Sequence, residues 1–166
     1  MDRIFSPWRM EYIRQAGGGG GTASCVFCVG DGDLDDPARL LVGLYPATLA
    51  ILNRYPYNNG HVLIAPRRHV ANLWDLPGEE LRELFSVVSL GSRELAMEYR
   101  TEGMNVGMNL GKAAGAGIAD HLHAHIVPRW GGDTNFMASV LDTRVLPEAL
   151  AETHARLGAA FRPLRP

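Results

Sequence analysis

Three histidines alternate along one short apolar run, His121-Leu122-His123-Ala124-His125, which continues into Ile126-Val127-Pro128-Arg129-Trp130. Residues two apart share a face of a strand, so this run predicts three imidazoles in a row, about 7 Å from one to the next. Leu122, Ala124 and Ile126 then face the other way and can pack into a core. Burying three imidazoles without a task for them is expensive, because each carries polar nitrogens that need partners. A neutral imidazole can attack phosphorus directly and form a phosphoramidate that water or another acceptor opens. That use needs one ring nitrogen with a lone pair and an acceptor holding the other N–H. Neighbouring imidazoles can donate to phosphate oxygens and offset the charge that builds there.

The segment before the histidines, Asn109-Leu110-Gly111-Lys112-Ala113-Ala114-Gly115-Ala116-Gly117, is rich in glycine and small residues. Backbone N–H groups in such a loop can approach an anion and form a phosphate nest. Next to aligned imidazoles, it points to phosphate chemistry. A second cluster is Cys25-Val26-Phe27-Cys28, which holds the only two cysteines of the chain. In a reducing compartment this spacing fits a metal site, a redox pair or two free thiols. A tetrahedral zinc site needs two further ligands, which histidines elsewhere could supply.

The elements that must position these groups are readable from pattern. Strand-like runs cover residues 40–44, 49–52, 61–65 and 105–109 as well as the histidine segment, and Tyr55-Pro56-Tyr57-Asn58-Asn59-Gly60 reads as a turn-rich connection. Residues 78–100 switch to helical period, with Leu81, Leu84, Phe85, Val88 and Leu95 on the apolar stripe and Glu79 and Glu80 at the N-terminal end. A second helix is expected from near Pro147, with Leu150, His154, Leu157 and Phe161 along one face, which makes His154 a packing or surface residue. The order of strands, helix, strands and helix reads as α+β with a mostly antiparallel sheet. Five glycines, Gly17 to Gly21, join an aromatic N-terminal arm (Phe5, Trp8, Tyr12) to the rest. A length of 166 residues, 46% hydrophobic and 20% charged, suits one domain with a sizeable core. The net charge of −2 gives no general attraction for nucleic acid or anionic membrane. No apolar run reaches membrane-span length and the N-terminus lacks a signal-peptide core, so a cytoplasmic protein is expected.

Residues 121–127 match His-φ-His-φ-His-φ-φ at every position, and the chain here resembles the histidine triad (HIT) family of nucleotide hydrolases and transferases. The resemblance runs from Cys25 to Phe136 and includes Leu52-Asn53-Arg54-Tyr55-Pro56, Gly60-His61-Val62-Leu63-Ile64-Ala65-Pro66 and Pro128-Arg129-Trp130-Gly131-Gly132-Asp133. With Trp8-Arg9-Met10-Glu11-Tyr12, it is most similar to a bacterial branch that includes diadenosine tetraphosphate phosphorylases and related hydrolases. It implies a HIT-like fold, with a five-stranded mostly antiparallel sheet and two main helices, the sheet extended across a homodimer. The domain would span residues 22–166 and end in a C-terminal helix, with residues 1–21 as arm and linker.

Residue by residue, the resemblance makes His123 the nucleophile and His125 a phosphate contact. Asn53, eight residues before His61, would bind ribose hydroxyls; Asn109 and the backbone at Gly115 and Gly117 would contact phosphate; and His61 would support the site. It also implies a structural zinc held by Cys25, Cys28, His69 and His121, with His121 fixing the strand rather than reacting. Magnesium is a further candidate, as companion of a polyphosphate substrate. The loop Ala116-Gly117-Ile118 is one residue longer than the common hydrolase pattern and has no polar side chain, which leaves Lys112 and Arg129 as candidate phosphate contacts. Cleavage of dinucleoside polyphosphates with water or phosphate as acceptor is the leading expectation. The alternatives are a nucleoside phosphoramidase and a nucleotide-binding regulatory protein with little turnover.

Overall fold

Residues 41–66 carry apolar side chains at nearly every strand position, which suits strands covered on both faces. In the computed structural model, which describes residues 25–133, 146 and 148–166, they form β1 (Leu41–Leu44), β2 (Thr48–Leu52) and β3 (Val62–Pro66). After the helix α1 (Gly78–Tyr99) come β4 (Gly103–Met108), β5 (Ala124–Arg129) and the helix α2 (Leu150–Phe161). The five strands lie in the order β1-β2-β3-β5-β4, and every pairing is antiparallel. The arm and glycine linker and Pro147 lie outside the described residues.

Both helices pack on one face of the sheet. There Val42, Ala50, Leu52, Val62, Ile64, Ala124 and Ile126 meet Leu84, Val87, Leu95, Leu157 and Phe161. The opposite face is covered near β1 and β2 by the segment at Phe27, which packs with Leu41, Leu49, Ile51 and Ala65. The alternation along β2 thus feeds two cores, odd residues to one and even residues to the other. The buried face of α1 runs through Leu84, Val87, Val88, Gly91 and Leu95. Phe85, expected on that stripe, is half exposed, because the buried residues recur around 84, 88, 91 and 95 and leave position 85 about 100° away. His154 lies on α2 as expected, its Nε2 donating to the Leu41 carbonyl at 2.8 Å, and Tyr45 Oη donates to the Phe161 carbonyl at 2.9 Å.

One departure matters for the site. The ladder pairing β5 with β3 and β4 begins at Ala124, so His121 and His123 precede the strand. Leu122 N–H instead donates to the Val70 carbonyl at 2.7 Å. The three imidazoles therefore do not form an evenly spaced row. The His123 and His125 ring centres are 5.1 Å apart, and His121 turns toward the cysteines.

Gly91 is where the helices come closest to overfilling the core: a Cβ there would lie 2.8 Å from the buried Phe161 ring. Gly91→Ala is expected to destabilise the protein by about 1–3 kcal/mol despite alanine's better helix propensity. Urea unfolding checks it; an unchanged or higher midpoint would show that the Phe161 ring yields.

Candidate active site and metal centre

His61 enters the site from a tight turn. Its N–H donates to the Asn58 carbonyl at 3.2 Å, and Gly60 takes a left-handed φ of 72°. A Cβ at Gly60 would also stand 3.0 Å from the Tyr99 ring. Asp133 holds this turn to the end of β5. It accepts from Asn58 Nδ2 at 2.9 Å and from Arg129 Nε and Nη2 at 2.6 and 2.9 Å. The Arg129 guanidinium keeps the Asp133 carboxyl well down, at about 2. Arg129 also donates to Asn105 Oδ1 at 2.8 Å, so this side chain is structural and not a spare cation for phosphate.

The hydrogen bonds fix the histidine tautomers. Tyr57 N–H donates to His61 Nδ1 at 3.1 Å, with Asn53 Nδ2 also 3.3 Å away, so Nδ1 is the acceptor and the proton sits on Nε2. His61 Nε2–H then donates to His125 Nδ1 at 3.0 Å, which leaves His125 with its proton on Nε2. His123 has the opposite arrangement. Its Nδ1–H donates to the His121 carbonyl at 2.8 Å, so Nε2 keeps the lone pair. Burial, followed by the neighbouring His125 and His123, brings His61 down to about 3, and burial also holds His123 below its ordinary value. At neutral pH His61 and His123 are therefore uncharged, and the tautomers leave His123 offering a lone pair beside the His125 N–H. Asn53 is pinned as well, its Oδ1 accepting from Tyr55 N–H at 3.0 Å.

Two aromatic rings frame the imidazoles, and neither stood out from the residue pattern. Tyr57 stacks over His125 at 6.0 Å and 6°, and lies 4.7 Å from His61. Its position four residues before His61, in the Tyr-Pro-Tyr turn, was the available signal. Phe27 lies on the other side, 4.9 Å from His123 and 5.1 Å from His121. Asn109 directly follows the last β4 pair, Met108 with Ala124, at the end of the ladder where His123 precedes β5. In the glycine loop, the N–H groups of Ala114, Gly115 and Ala116 turn inward to Gly111 and Lys112 carbonyls, so a phosphate nest there would be built from Gly117 onward. A small cavity of about 150 Å³ beside Asn53 and His61 opens between Arg54, Leu150 and Thr153.

Cys25, Cys28, His69 and His121 converge so that their ligand atoms all lie within 4.8 Å of one another. His121 Nδ1 is 3.3 Å from Cys25 Sγ, 3.9 Å from Cys28 Sγ and 3.2 Å from His69 Nδ1, and Cys28 Sγ is 3.3 Å from His69 Nδ1. Tetrahedral zinc bonds of about 2.0 Å to nitrogen and 2.3 Å to sulfur require N···N and N···S edges of about 3.3 and 3.5 Å. The donors fit that figure. His121 Nε2–H donates to the Pro66 carbonyl at 2.8 Å, which leaves its Nδ1 lone pair aimed at the cluster. Burial and the adjacent Cys25 push the Cys28 thiol up to about 11, so a cation is what would bring this sulfur to the thiolate.

The histidine arrangement on this sheet is that of one protein class. A family profile described as HIT domain matches residues 38–132, and the chain belongs to the histidine triad family. Among curated proteins it is 36% identical over 165 residues to an AP-4-A phosphorylase of Mycobacterium tuberculosis, covering 97% of this chain and 85% of that one. It is 39% identical over 84 residues to a bis(5'-adenosyl)-triphosphatase of Saccharomyces cerevisiae, covering 50% of this chain and 40% of that one. Among solved structures, a Zn-bound histidine triad family protein from Mycobacterium smegmatis superposes with a TM-score of 0.64 at 30% identity, covering 84% of this chain and 94% of that one.

The depressed His61 pKa makes a prediction about acid stability. Between about 6.5 and 3 the unfolded chain binds a proton at this position that the folded chain refuses, so stability must fall as pH falls through that window. A shift of this size corresponds to a few kcal/mol at most, about 1.4 kcal/mol per unit. Urea midpoints at pH 7 and pH 4.5 for the wild type and His61→Asn check this. The acid loss is expected to be smaller in the variant, and equal losses would place the sensitive group elsewhere.

Proposed function

We propose that this protein cleaves dinucleoside polyphosphates through a covalent nucleotidyl-His123 intermediate. The observation that carries the reading is the opposed tautomers of His123 and His125. His123 Nε2 attacks the α-phosphorus, a P–N bond forms, and the P–O bond to the departing nucleotide breaks. His125 Nε2–H donates to a phosphate oxygen as charge develops, and the His121 carbonyl steadies the imidazolium-like ring through Nδ1–H. The acceptor then attacks the same phosphorus, the P–N bond breaks, and His123 regains its lone pair. We take inorganic phosphate as that acceptor, because the relative matching both chains almost end to end is named a phosphorylase. Asn53 is assigned to the ribose hydroxyls, Asn109 and the backbone from Gly117 onward to phosphate (the Gly115 N–H being spent on the Lys112 carbonyl), and His61 to holding His125 in its donor tautomer. Magnesium would accompany the polyphosphate as part of the substrate.

Zinc is the metal we assign to Cys25, Cys28, His69 and His121, supported by the donor geometry and by the Zn-bound neighbour. Four protein ligands leave no open position, so its contribution is structural. We assign residues 22–166 to one HIT domain, residues 1–21 to an arm with a linker, and the protein to the cytoplasm, where two cysteines stay reduced. No described helix is long and apolar enough to cross a membrane. The protein is assigned as a homodimer joined through β4. That edge strand, Gly103-Met104-Asn105-Val106-Gly107-Met108, has neither charge nor proline, and Val106 is 52% exposed. An edge so unprotected is expected to be covered.

Incubation with diadenosine tetraphosphate should yield ADP and ATP only when inorganic phosphate is present, and His123→Ala should lose at least about a thousandfold in rate. AMP and ATP without phosphate would make water the acceptor, and no His123-dependent product would remove the reading. Light scattering should give twice the 18.1 kDa chain mass, with Val106→Lys shifting it toward the monomer; a wild-type monomer at micromolar concentration would exclude the dimer.

A further inference from the structure

The metal loop does more than supply two sulfurs. Between Cys25 and Cys28, Phe27 turns inward and is fully buried, while its neighbour Val26 is 48% exposed. The Phe27 ring lies against two histidines of the triad at once. It is tilted on His121, at 5.1 Å and 55°, and stacked on His123, at 4.9 Å and 29°. A centroid distance of this size with near-parallel planes is a favourable offset stack. The chain around it is anchored at both ends, with Cys25 Sγ beside His121 and Cys28 Sγ beside His69, and Cys28 N–H donating to the Cys25 carbonyl at 3.1 Å.

His123 needs such a partner. One hydrogen bond, from Nδ1 to the His121 carbonyl, fixes the tautomer but leaves the ring able to swing about that bond. A flat neighbour removes that freedom, because a stacked ring tolerates sliding in its plane better than tilting. His125 stands 5.1 Å away at 54° and its Nδ1 is committed to His61, so it does not supply the flat contact.

We infer that Phe27 is a positioning residue of the reaction: it is clamped by the two metal-ligand cysteines, and its ring holds the His123 imidazole at the angle from which Nε2 attacks. The structural metal is thereby connected to the nucleophile by a single side chain. The inference rests on the proposed role of His123. A small loss of alignment at a reacting nitrogen slows attack without weakening substrate binding.

The test compares Phe27→Leu and Phe27→Tyr with a control in the same loop, Val26→Ala, on the zinc-loaded full chain. Zinc per chain and the urea midpoint are measured beside KM and the single-turnover rate at which nucleotidyl-His123 forms. Leucine keeps the loop apolar but offers no ring. Expected for Phe27→Leu are unchanged zinc content, KM within about twofold and adduct formation about tenfold slower or more, with Phe27→Tyr recovering most of the rate and Val26→Ala unchanged. A wild-type rate in Phe27→Leu with zinc retained overturns the inference, as does a loss of rate matched by an equal rise in KM. Should Phe27→Leu lose its zinc, the wild type decides by NMR. Cross-relaxation between the Phe27 and His123 rings and a single His123 side-chain orientation, read from its β-proton couplings, are expected with zinc, and both should be lost on chelation. A single His123 orientation that survives after the ring contact is lost overturns the inference. Wild-type protein that forms no His123 adduct refutes the nucleotidyl-transfer reading instead, and the NMR comparison still decides what Phe27 does.

Discussion

His121 is the residue on which the rest of the site depends, because three of its polar groups are used in three different directions. Nε2–H bonds the Pro66 carbonyl at the end of β3, Nδ1 faces two sulfurs and His69, and its carbonyl holds His123 Nδ1. A hydrogen bond in a buried, low-dielectric setting is costly to break, since neither partner finds water in exchange. Tying three such demands to one residue makes the His123 tautomer a consequence of the fold. The sheet brings Pro66 to His121, the cysteine loop closes over it, and His123 inherits its geometry.

The electrostatics follow the same logic. Five of the six histidines gather at the site or the metal cluster, and burial keeps those whose shifts are clear on the neutral side. A protonated triad could not attack phosphorus. The burial that lowers these values therefore serves the proposed chemistry, at the cost of acid stability. Arg129, the guanidinium nearest in sequence, is tied up by Asp133 and Asn105. Charge on a polyphosphate would thus be met by imidazole and backbone N–H groups and by whatever cation the substrate carries, in keeping with a chain of net charge −2.

Much of this was legible in the residues. Helical period located α1 to within a residue of Gly78–Tyr99, and apolar runs located all five strands to within a few residues. The family resemblance picked out four metal donors that the structure brings together across 97 positions of chain. What was hidden has physical causes. Phe85 was misplaced because a helical stripe is wider than its buried line. The even row of three imidazoles failed because the ladder begins only at Ala124, a register set by partners elsewhere in the chain. His61 fixes the His125 tautomer through a proton assignment that starts at the Tyr57 backbone N–H, and main-chain donors leave no mark in a side-chain pattern. Phe27 drew no reading of its own between the cysteines, since a lone phenylalanine carries no signal of what it stacks on.

The central claim is that His123 Nε2 carries the lone pair and takes the nucleotide. It is tested most directly by mixing the zinc-loaded enzyme with diadenosine tetraphosphate at limiting acceptor, quenching, and locating the added mass by peptide mass spectrometry. The account predicts an acid-labile adenylyl group on His123 and none in His123→Ala. An adduct on His125, on His61 or on no residue, while the wild type still turns over substrate, would contradict it.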